Sequence, residues 1–476
     1  MPTSIARRRR AHSAPLTPSQ VNLVIVGDSI TGGAGVLPYY PTQLGNMWSA
    51  SGGGAITNCG HSGYSYVTGA PGGSLYDLYE AEVKPHLVAG KSNVLVMEGI
   101  NDLYNGVSVG PPAIGETAVQ YIAAVTAYAQ RAMADGWTVI LVEPTPRANT
   151  GTPASYETQR QLAITSLRAS AVGTICAGLV RVGDDPRIGL AGSENNSYFY
   201  AADLVHLGSL GNAILAAAVM AELRTLFGFP WLPAHVPYVI TWLDTSIADA
   251  CTLATVPAVN GGAVDTVANQ AIYNATPATQ GTSASRPIFT AAAINGQPAL
   301  AMGPQGGVPR WMEVVNYPRG VGTVVLVAAP SAEGYGYFSF GTFQWALNLV
   351  TTHTSGLATV NHGVTSQYVA ASGTLGIGTG PHVYVMVGDG QHADTTLTMD
   401  GASVALSTFN GDAGNPGEDQ PFEGATGGGT LFLPGNGGDP GAPGYYGFAL
   451  YTPIPLVASE LAPLLTYLSA TWGIPT

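Results

Sequence analysis

The sequence predicts two architectures in succession: an α/β front half built on a doubly wound parallel sheet, and an all-β rear half of sandwich or jelly-roll type. Three observations carry this. Apolar runs of strand length alternate with Ala-rich stretches of helical spacing through the first 228 residues. The proline-punctuated segment Phe229-Pro230-Trp231-Leu232-Pro233 then marks a change of composition. Beyond it the chain turns short, β-branched and interrupted by turn residues. The division reads as a disordered basic arm at 1–17, an α/β domain at 18–228, a linker at 229–237 and a β-sandwich at 238–476.

Each element has its own signal. Leu23-Val24-Ile25-Val26 is a continuous apolar run, the mark of a strand buried on both faces, and Asn93 to Met97 and Thr138 to Val142 repeat it. Glu116 to Ala134 places apolar residues at helical spacing and reads as a crossover helix; Ser155 to Ser170 reads as another. Gly211 to Phe227, rich in Ala and Leu, closes the domain and would hold the loop before it against the sheet. Alternation of this kind is what a parallel sheet requires, because each strand must return to the same edge before the next begins. In the rear half, Gly322 to Val327 and His382 to Val387 are short strands bounded by Gly, Pro, Asn and Asp.

Composition bounds the partners. At 476 residues the chain exceeds one core and implies two or three domains. Only 9% of residues are charged, beside 63 Gly and 34 Pro, so solubility rests on Ser, Thr, Asn, Gln and Gly, a style associated with extracellular and virion proteins. The net charge of −13 excludes a nucleic-acid-binding body, and setting aside the run Arg7 to Arg10 makes the remainder more acidic still. That run leads into Ala11-His12-Ser13-Ala14-Pro15 rather than an apolar stretch, so no secretory signal peptide is read. No later segment offers the roughly 18 unbroken apolar residues of a membrane span. The expectation is a soluble protein without a membrane span, acting outside a cell or on a virion, and otherwise cytoplasmic. Cys59, Cys176 and Cys251 are scattered and read as buried or inert thiols.

Four clusters carry the chemistry. Gly27-Asp28-Ser29 follows the first apolar run, so Ser29 stands where a strand gives way to a loop, the edge at which open α/β sheets collect their active sites. A serine hydroxyl is a weak nucleophile and needs an imidazole to take its proton. His206 is the candidate base, and Asp203, three residues earlier, is close enough to fix its tautomer and stabilise the imidazolium. The tetrahedral intermediate needs donors aimed at its oxygen, and the backbone N–H groups of Ser29 and Gly63 with the side-chain amide of Asn101 are assigned to that oxyanion hole. Ser62-Gly63 and Gly99-Ile100-Asn101-Asp102 supply the last two; glycine at 63 permits close approach and positive φ.

Each cluster alone has an ordinary account. Gly-Asp-Ser is a common turn, Asn-Asp can cap a helix, and Asp-x-x-His can be a surface loop or half a metal site. Gly60-His61-Ser62-Gly63-Tyr64 half-resembles the Gly-x-Ser-x-Gly elbow of the α/β-hydrolases, but Tyr64 replaces the last glycine and no helix clearly follows, so Ser62 is rejected as nucleophile. His61 reads as a solvated loop histidine within reach of the site.

Taken in order, the clusters resemble the GDSL-type or SGNH hydrolases. Gly27-Asp28-Ser29-Ile30-Thr31 is similar to the family's nucleophile block, Asn58-Cys59-Gly60-His61-Ser62-Gly63 to its glycine block, Gly99-Ile100-Asn101-Asp102 to its asparagine block and Asp203-Leu204-Val205-His206 to its Asp-x-x-His block. Ile30 departs from the name-giving leucine and Leu207 from a proline common after the histidine. The resemblance covers about residues 18 to 228. It implies a flavodoxin-like three-layer fold with a parallel sheet and a carboxylic ester hydrolase with a Ser-His-Asp triad, working without a cofactor or catalytic metal.

The rear half has a weaker resemblance, to concanavalin-A-like or laminin-G-like modules. Trp242-Leu243-Asp244-Thr245-Ser246, Arg286-Pro287, Ile294-Asn295-Gly296-Gln297-Pro298-Ala299-Leu300, Met399-Asp400-Gly401 and the ending Tyr467 to Gly473 carry it, and they imply a two-sheet jelly roll of a kind that often binds glycans. The acidic stretch Asn410 to Gly441, with Asp412, Glu418, Asp419, Glu423 and Asp439, holds oxygen donors of the kind a structural calcium takes, though without a recognised loop spacing. The expected partner is an acetylated polysaccharide or other glycan, and a virion or other homo-oligomeric assembly is a further expectation. Two alternatives stay open: a glycan-binding adhesion or virion structural protein with little activity, and a lipase, which would need an apolar groove near Tyr39, Tyr40 and Tyr64.

Overall fold

A computed structural model describes residues 16–70, 72–105, 117–273, 276–305, 308–317, 322–330, 335–340, 345–352, 355–362, 367–371, 380–388, 396–404, 406–409, 429–433 and 444–476. The arginines at 7 to 10 and the acidic residues Asp412, Glu418, Asp419, Glu423 and Asp439 lie outside them. The chain divides into two compact units, Met1–Trp231 and Leu232–Thr476.

In the first unit, β1 (Val21–Gly27) runs into the one-turn helix α1 (Ser29–Gly32), followed by α2 (Tyr40–Ala50), β2 (Thr57–Gly60) and the short α3 (Leu75–Leu78). Then come β3 (Ser92–Met97), α4 (Asn101–Asn105), α5 (Ala118–Asp135), β4 (Thr138–Val142), α6 (Tyr156–Ser170), β5 (Gly178–Val180) and α7 (Ser209–Phe227). The strands order β2-β1-β3-β4-β5 and every neighbouring pair is parallel. This is the α/β parallel sheet that the apolar runs predict. The chain goes from β1 to β2 on one side and to β3 on the other, so the loops after β1 and β3 part at a crevice where ligands bind in such sheets.

Sequence explains the layers. The core strands are apolar at successive positions because helices cover both faces. Val24, Val26, Leu95, Met97, Val139 and Leu141 share a cluster with Tyr121, Val125 and Tyr128 of α5 and with Ala163 and Leu167 of α6. On the other side α2 packs with α7. α5 opens with a capping box, the Thr117 hydroxyl accepting from Gln120 N while the Gln120 side chain accepts from Thr117 N, and ends on Gly136 at φ 106. α7 has the length and apolar character of a membrane-crossing helix, yet it is a core helix, with Leu210, Ile214, Leu215, Val219, Met220 and Leu223 all buried.

Among the described residues the second unit consists chiefly of antiparallel strands in an 11-stranded and a 9-stranded sheet. Met312 and Val314 from one, with Leu300, Val324, Leu326, Tyr384 and Met386 from the other, meet in a single buried cluster. Two hairpins turn on dipeptides that accept left-handed backbone: Asn295-Gly296 (φ 48 and 84) and Asp400-Gly401 (φ 51 and 76). One of the few helical stretches of the rear half lies at its end. Tyr467 to Trp472 belongs to a 15-residue helix, α8 (Ala458–Trp472), because Leu464, Leu468 and Trp472 recur at helical spacing and bury one face. Gly447 is required there, since a Cβ would stand 2.3 Å from the Trp472 ring.

The three thiols are buried and unpaired, and burial pushes Cys59 up to about 11 and Cys176 and Cys251 up to about 12. An ion pair with a buried carboxylate fastens the end of β4 to α6, and a backbone amide ties the same carboxylate to the segment after β5. Glu143, just past β4, accepts from Arg168 Nε at 2.6 Å and Nη2 at 2.7 Å and from Gly183 N at 2.9 Å. Its side chain is fully buried. Arg168→Ala leaves that carboxylate without its counter-charge and should lower the stability of the first unit by about 3 to 5 kcal/mol. Urea unfolding followed by the first unit's fluorescence measures this, and a loss below about 1 kcal/mol would show that Glu143 finds compensation elsewhere.

Candidate active site

The site forms where β1, β3 and the loop before α7 meet. Val26 and Gly27 end β1, and Asp28 turns the chain as the N-cap of α1, its Oδ1 accepting from Ile30 N at 3.1 Å. Ser29 is therefore the first residue of a helical turn at the sheet's carboxyl edge, 8% exposed. Gly27 permits this: a Cβ there would lie 2.3 Å from Thr31 Oγ1 and 2.4 Å from the Glu98 carbonyl oxygen.

His206 reaches Ser29 from 177 residues away, its Nε2 standing 2.8 Å from Ser29 Oγ. Its Nδ1 stands 2.5 Å from Asp203 Oδ2. A carboxylate can only accept, so Nδ1 carries the proton and Nε2 presents its lone pair to the serine hydroxyl. Asp203 Oδ1 also accepts from the backbone N–H groups of Val205 and His206, both at 3.0 Å. Burial raises the Asp203 carboxyl, but its bonds to the His206 ring and to those two amides outweigh it and hold the group below the usual carboxylate range. The loop is set by Leu204 in the left-handed region at φ 58 and by Ala201 N donating to His206 O at 2.8 Å.

Asn101 opens α4 directly after β3. Its backbone N–H, with that of Ile100, donates to Asp28 Oδ2, at 3.0 and 2.7 Å. Its side-chain amide donates to Tyr64 O at 3.1 Å, which brings it beside Gly63. Gly63 has φ 82, with nothing within 4 Å of where a Cβ would be. The backbone N–H groups of Ser29 and Gly63 make no hydrogen bond to any described residue. The structure thus joins Ser29 to His206 and His206 to Asp203 by direct hydrogen bonds, and links Ser29, Asn101 and Gly63 through Asp28 and the Tyr64 carbonyl.

Other residues considered from sequence lie differently. His61 is engaged, its Nε2 2.5 Å from Glu82 Oε2 and its ring stacked on Tyr64 at 4.9 Å. Tyr40 lines no groove: it is fully buried, its hydroxyl 3.1 Å from Thr31 Oγ1. Among the described residues no group of three or more His, Cys, Asp or Glu is placed to hold a metal.

Two buried acids beside the site hold positions to which the sequence reading assigns no role. Asp102 is buried and accepts from the backbone of Tyr66 and Val67, tying the asparagine turn to the chain that follows Gly63. Glu98, at the end of β3, is 3% exposed, accepts from Thr31 Oγ1 at 2.8 Å and lies beside Asp28. Burial first, and the Asp28 charge second, push the Glu98 carboxyl well above the usual range; burial also raises Asp28, against the three amides that favour its ionised form. An acidic residue closing an otherwise apolar run is the signal that could have singled out Glu98.

Residues 25–214 match the GDSL-like Lipase/Acylhydrolase family, so the first unit contains a GDSL/SGNH hydrolase domain. Solved structures similar to this chain include an acetylxylan esterase from Geobacillus stearothermophilus, at 18% identity over 44% of this chain and 96% of that one, with TM-score 0.33. They include a GDSL-like lipase from Bacteroides thetaiotaomicron, at 15% identity over 44% of this chain and 91% of that one, with TM-score 0.32. No curated protein matches the sequence.

The raised Glu98 carboxyl has a thermodynamic consequence. An unfolded glutamate ionises near pH 4.3, as in model peptides, whereas the folded state keeps Glu98 protonated to higher pH. The stabilisation is complete below that pH and declines as pH rises toward the folded value, by about 1.4 kcal/mol per unit. Glu98→Gln cannot ionise, so its stability relative to the parent should increase from pH 5 to pH 7. Urea midpoints at the two pH values check this, and a difference independent of pH would mean that Glu98 is ionised in the folded protein.

Proposed function

We propose that the protein is a serine esterase that removes short acyl groups, acetyl foremost, from a polysaccharide held by the second unit. One observation carries the reading: His206 bridges Ser29 Oγ and Asp203 through its two ring nitrogens. The family match of residues 25–214 supports it. In this reading the working domains run 18–228 and 238–476 about a linker at 229–237, with a basic arm at 1–17, and the second is a lectin-like jelly roll of the concanavalin-A type. Tethering raises the effective concentration of ester near Ser29. The protein acts outside a cell or on a virion.

The chemistry follows from the geometry. Ser29 Oγ attacks the ester carbonyl carbon as its proton passes to His206 Nε2, and the carbonyl electron pair moves onto oxygen. Asp203 steadies the imidazolium through Nδ1–H. The N–H groups of Ser29 and Gly63 and the Asn101 amide donate to the new oxyanion, each worth roughly 10²- to 10³-fold in rate. Collapse breaks the C–O bond to the sugar, which leaves with the proton from His206. Water then repeats the sequence on the acyl-serine, releasing the carboxylic acid and restoring Ser29.

A second reading, hydrolysis of longer acyl chains, draws on the loop beside the histidine. A Cβ at Gly35 would lie 3.0 Å from His206 Cβ, and the next residues, Val36 and Leu37, are 46% and 68% exposed. A series of p-nitrophenyl esters from acetate to palmitate separates the two: activity confined to the shortest chains supports the deacetylase.

Acetate release from an acetylated polysaccharide should fall to background in Ser29→Ala, with circular dichroism unchanged; undiminished release would overturn the assignment. Asp203→Asn should lower kcat by about 10²- to 10⁴-fold, since an amide cannot hold the same tautomer with the same charge. A loss under threefold would remove Asp203 from the triad.

A further inference from the structure

Among its described residues the first unit has three buried arginines, and they are not alike. Arg160 pairs with Glu157 at 2.7 Å and Arg187 with Asp185 at 2.7 Å. Arg147 is 7% exposed and has no carboxylate within ion-pair distance among the described residues. Its Nε donates to Thr152 Oγ1 at 3.3 Å and its Nη2 to Asn149 Oδ1 at 3.2 Å, both long contacts to neutral oxygens, and Nη1 donates to no described residue. Its guanidinium plane lies over the Tyr104 ring, 3.5 Å from the centroid. A buried cation with no acid in direct contact is costly unless something completes it.

Its position gives that cost a purpose. Arg147 follows β4 at the same sheet edge from which Ser29 and Asn101 project. Tyr104, beneath the guanidinium, is three residues past Asn101 on α4. The next residue, Ala148, donates its N–H to Leu204 O at 3.0 Å, inside the Asp203–His206 loop. Arg147 therefore stands between the asparagine turn and the histidine loop. Burial lowers its pKa, while Asp28 and Asp203 draw on its charge through space. Thr145 and Pro144 hold this segment rigidly, their carbonyls accepting from Tyr156 Oη at 2.8 Å and Arg160 Nη1 at 3.0 Å.

We propose that Arg147 is a specificity-determining residue whose guanidinium binds a carboxylate carried by the substrate, so that the preferred esters are acyl groups on acidic sugars. This rests on the esterase reading. A planar fork stacked on an aromatic ring, with donors uncommitted to any acid, suits a carboxylate bidentately. On a chain of net charge −13, an acidic polymer is otherwise repelled, so a local cation decides whether it can bind.

The test compares an O-acetylated oligoglucuronate with the same oligosaccharide after reduction of its carboxyl groups. The parent protein should favour the acidic form in kcat/KM by at least about tenfold. In Arg147→Gln that ratio should fall by about 10- to 100-fold, chiefly through KM, and Arg147→Lys should restore part of it, keeping charge without the fork. An equal ratio in parent and folded Arg147→Gln, or no preference in the parent, would overturn the proposal. If Arg147→Gln does not fold, inhibition of the parent by free glucuronate against glucose decides, and equal inhibition by the two sugars overturns it. If no ester is turned over, the esterase reading fails while the anion site is still tested: calorimetric binding of oligoglucuronate to the full chain should be lost in Arg147→Gln, and its retention counts against the site.

Discussion

The buried carboxylate of Asp28 is the contact on which the arrangement of the site depends. One oxygen holds the turn that presents Ser29 and the other gathers the backbone of Ile100 and Asn101, so two loops from adjacent parallel strands are fixed to a single group. In an open parallel sheet the loops at the carboxyl edge diverge at the switch point, and nothing in the strand pairing itself sets the distance between them. A charge with no solvent to turn to supplies that constraint. Desolvation works against the ionised form, and three amides work for it, leaving little freedom for either loop to move without exposing the imbalance.

Around this contact lie further polar groups, two of which act through the backbone. Asp102 holds Tyr66 and Val67, the Asn101 amide holds the Tyr64 carbonyl, and Glu98 receives the Thr31 hydroxyl from the turn that carries Ser29. Each joins the end of one strand to the loop after another. The proposed oxyanion donors thus inherit their placement from buried acids rather than from their own side-chain packing, which suits a site whose donors are partly main-chain N–H groups.

Much of this was legible before any coordinates. The strands β1, β3 and β4 announce themselves because two-sided burial demands unbroken apolar runs, and α5, α6 and α7 because a crossover helix must bury one stripe. Ser29, Asp203 and His206 are recognisable by residue type at turn positions, although their meeting across 177 residues is a property of topology alone. What escaped has physical reasons. β2 is four residues long and half polar, below the length at which periodicity speaks, and α8 sits in a strand-rich region where its helical spacing is outweighed by its surroundings. Arg147 looks like any loop arginine in sequence; only its burial without an acid sets it apart, and burial is a tertiary fact.

The three cysteines bear on where such a fold can exist. Each thiol is enclosed, and each is raised far enough that almost none is thiolate at neutral pH, the form that oxidants and disulfides attack. No disulfide joins any two of them, and none offers a reactive sulfur to its surroundings. In the folded protein the three sulfurs are accordingly poorly placed to form or exchange a disulfide, so a change of redox potential finds little there to act on.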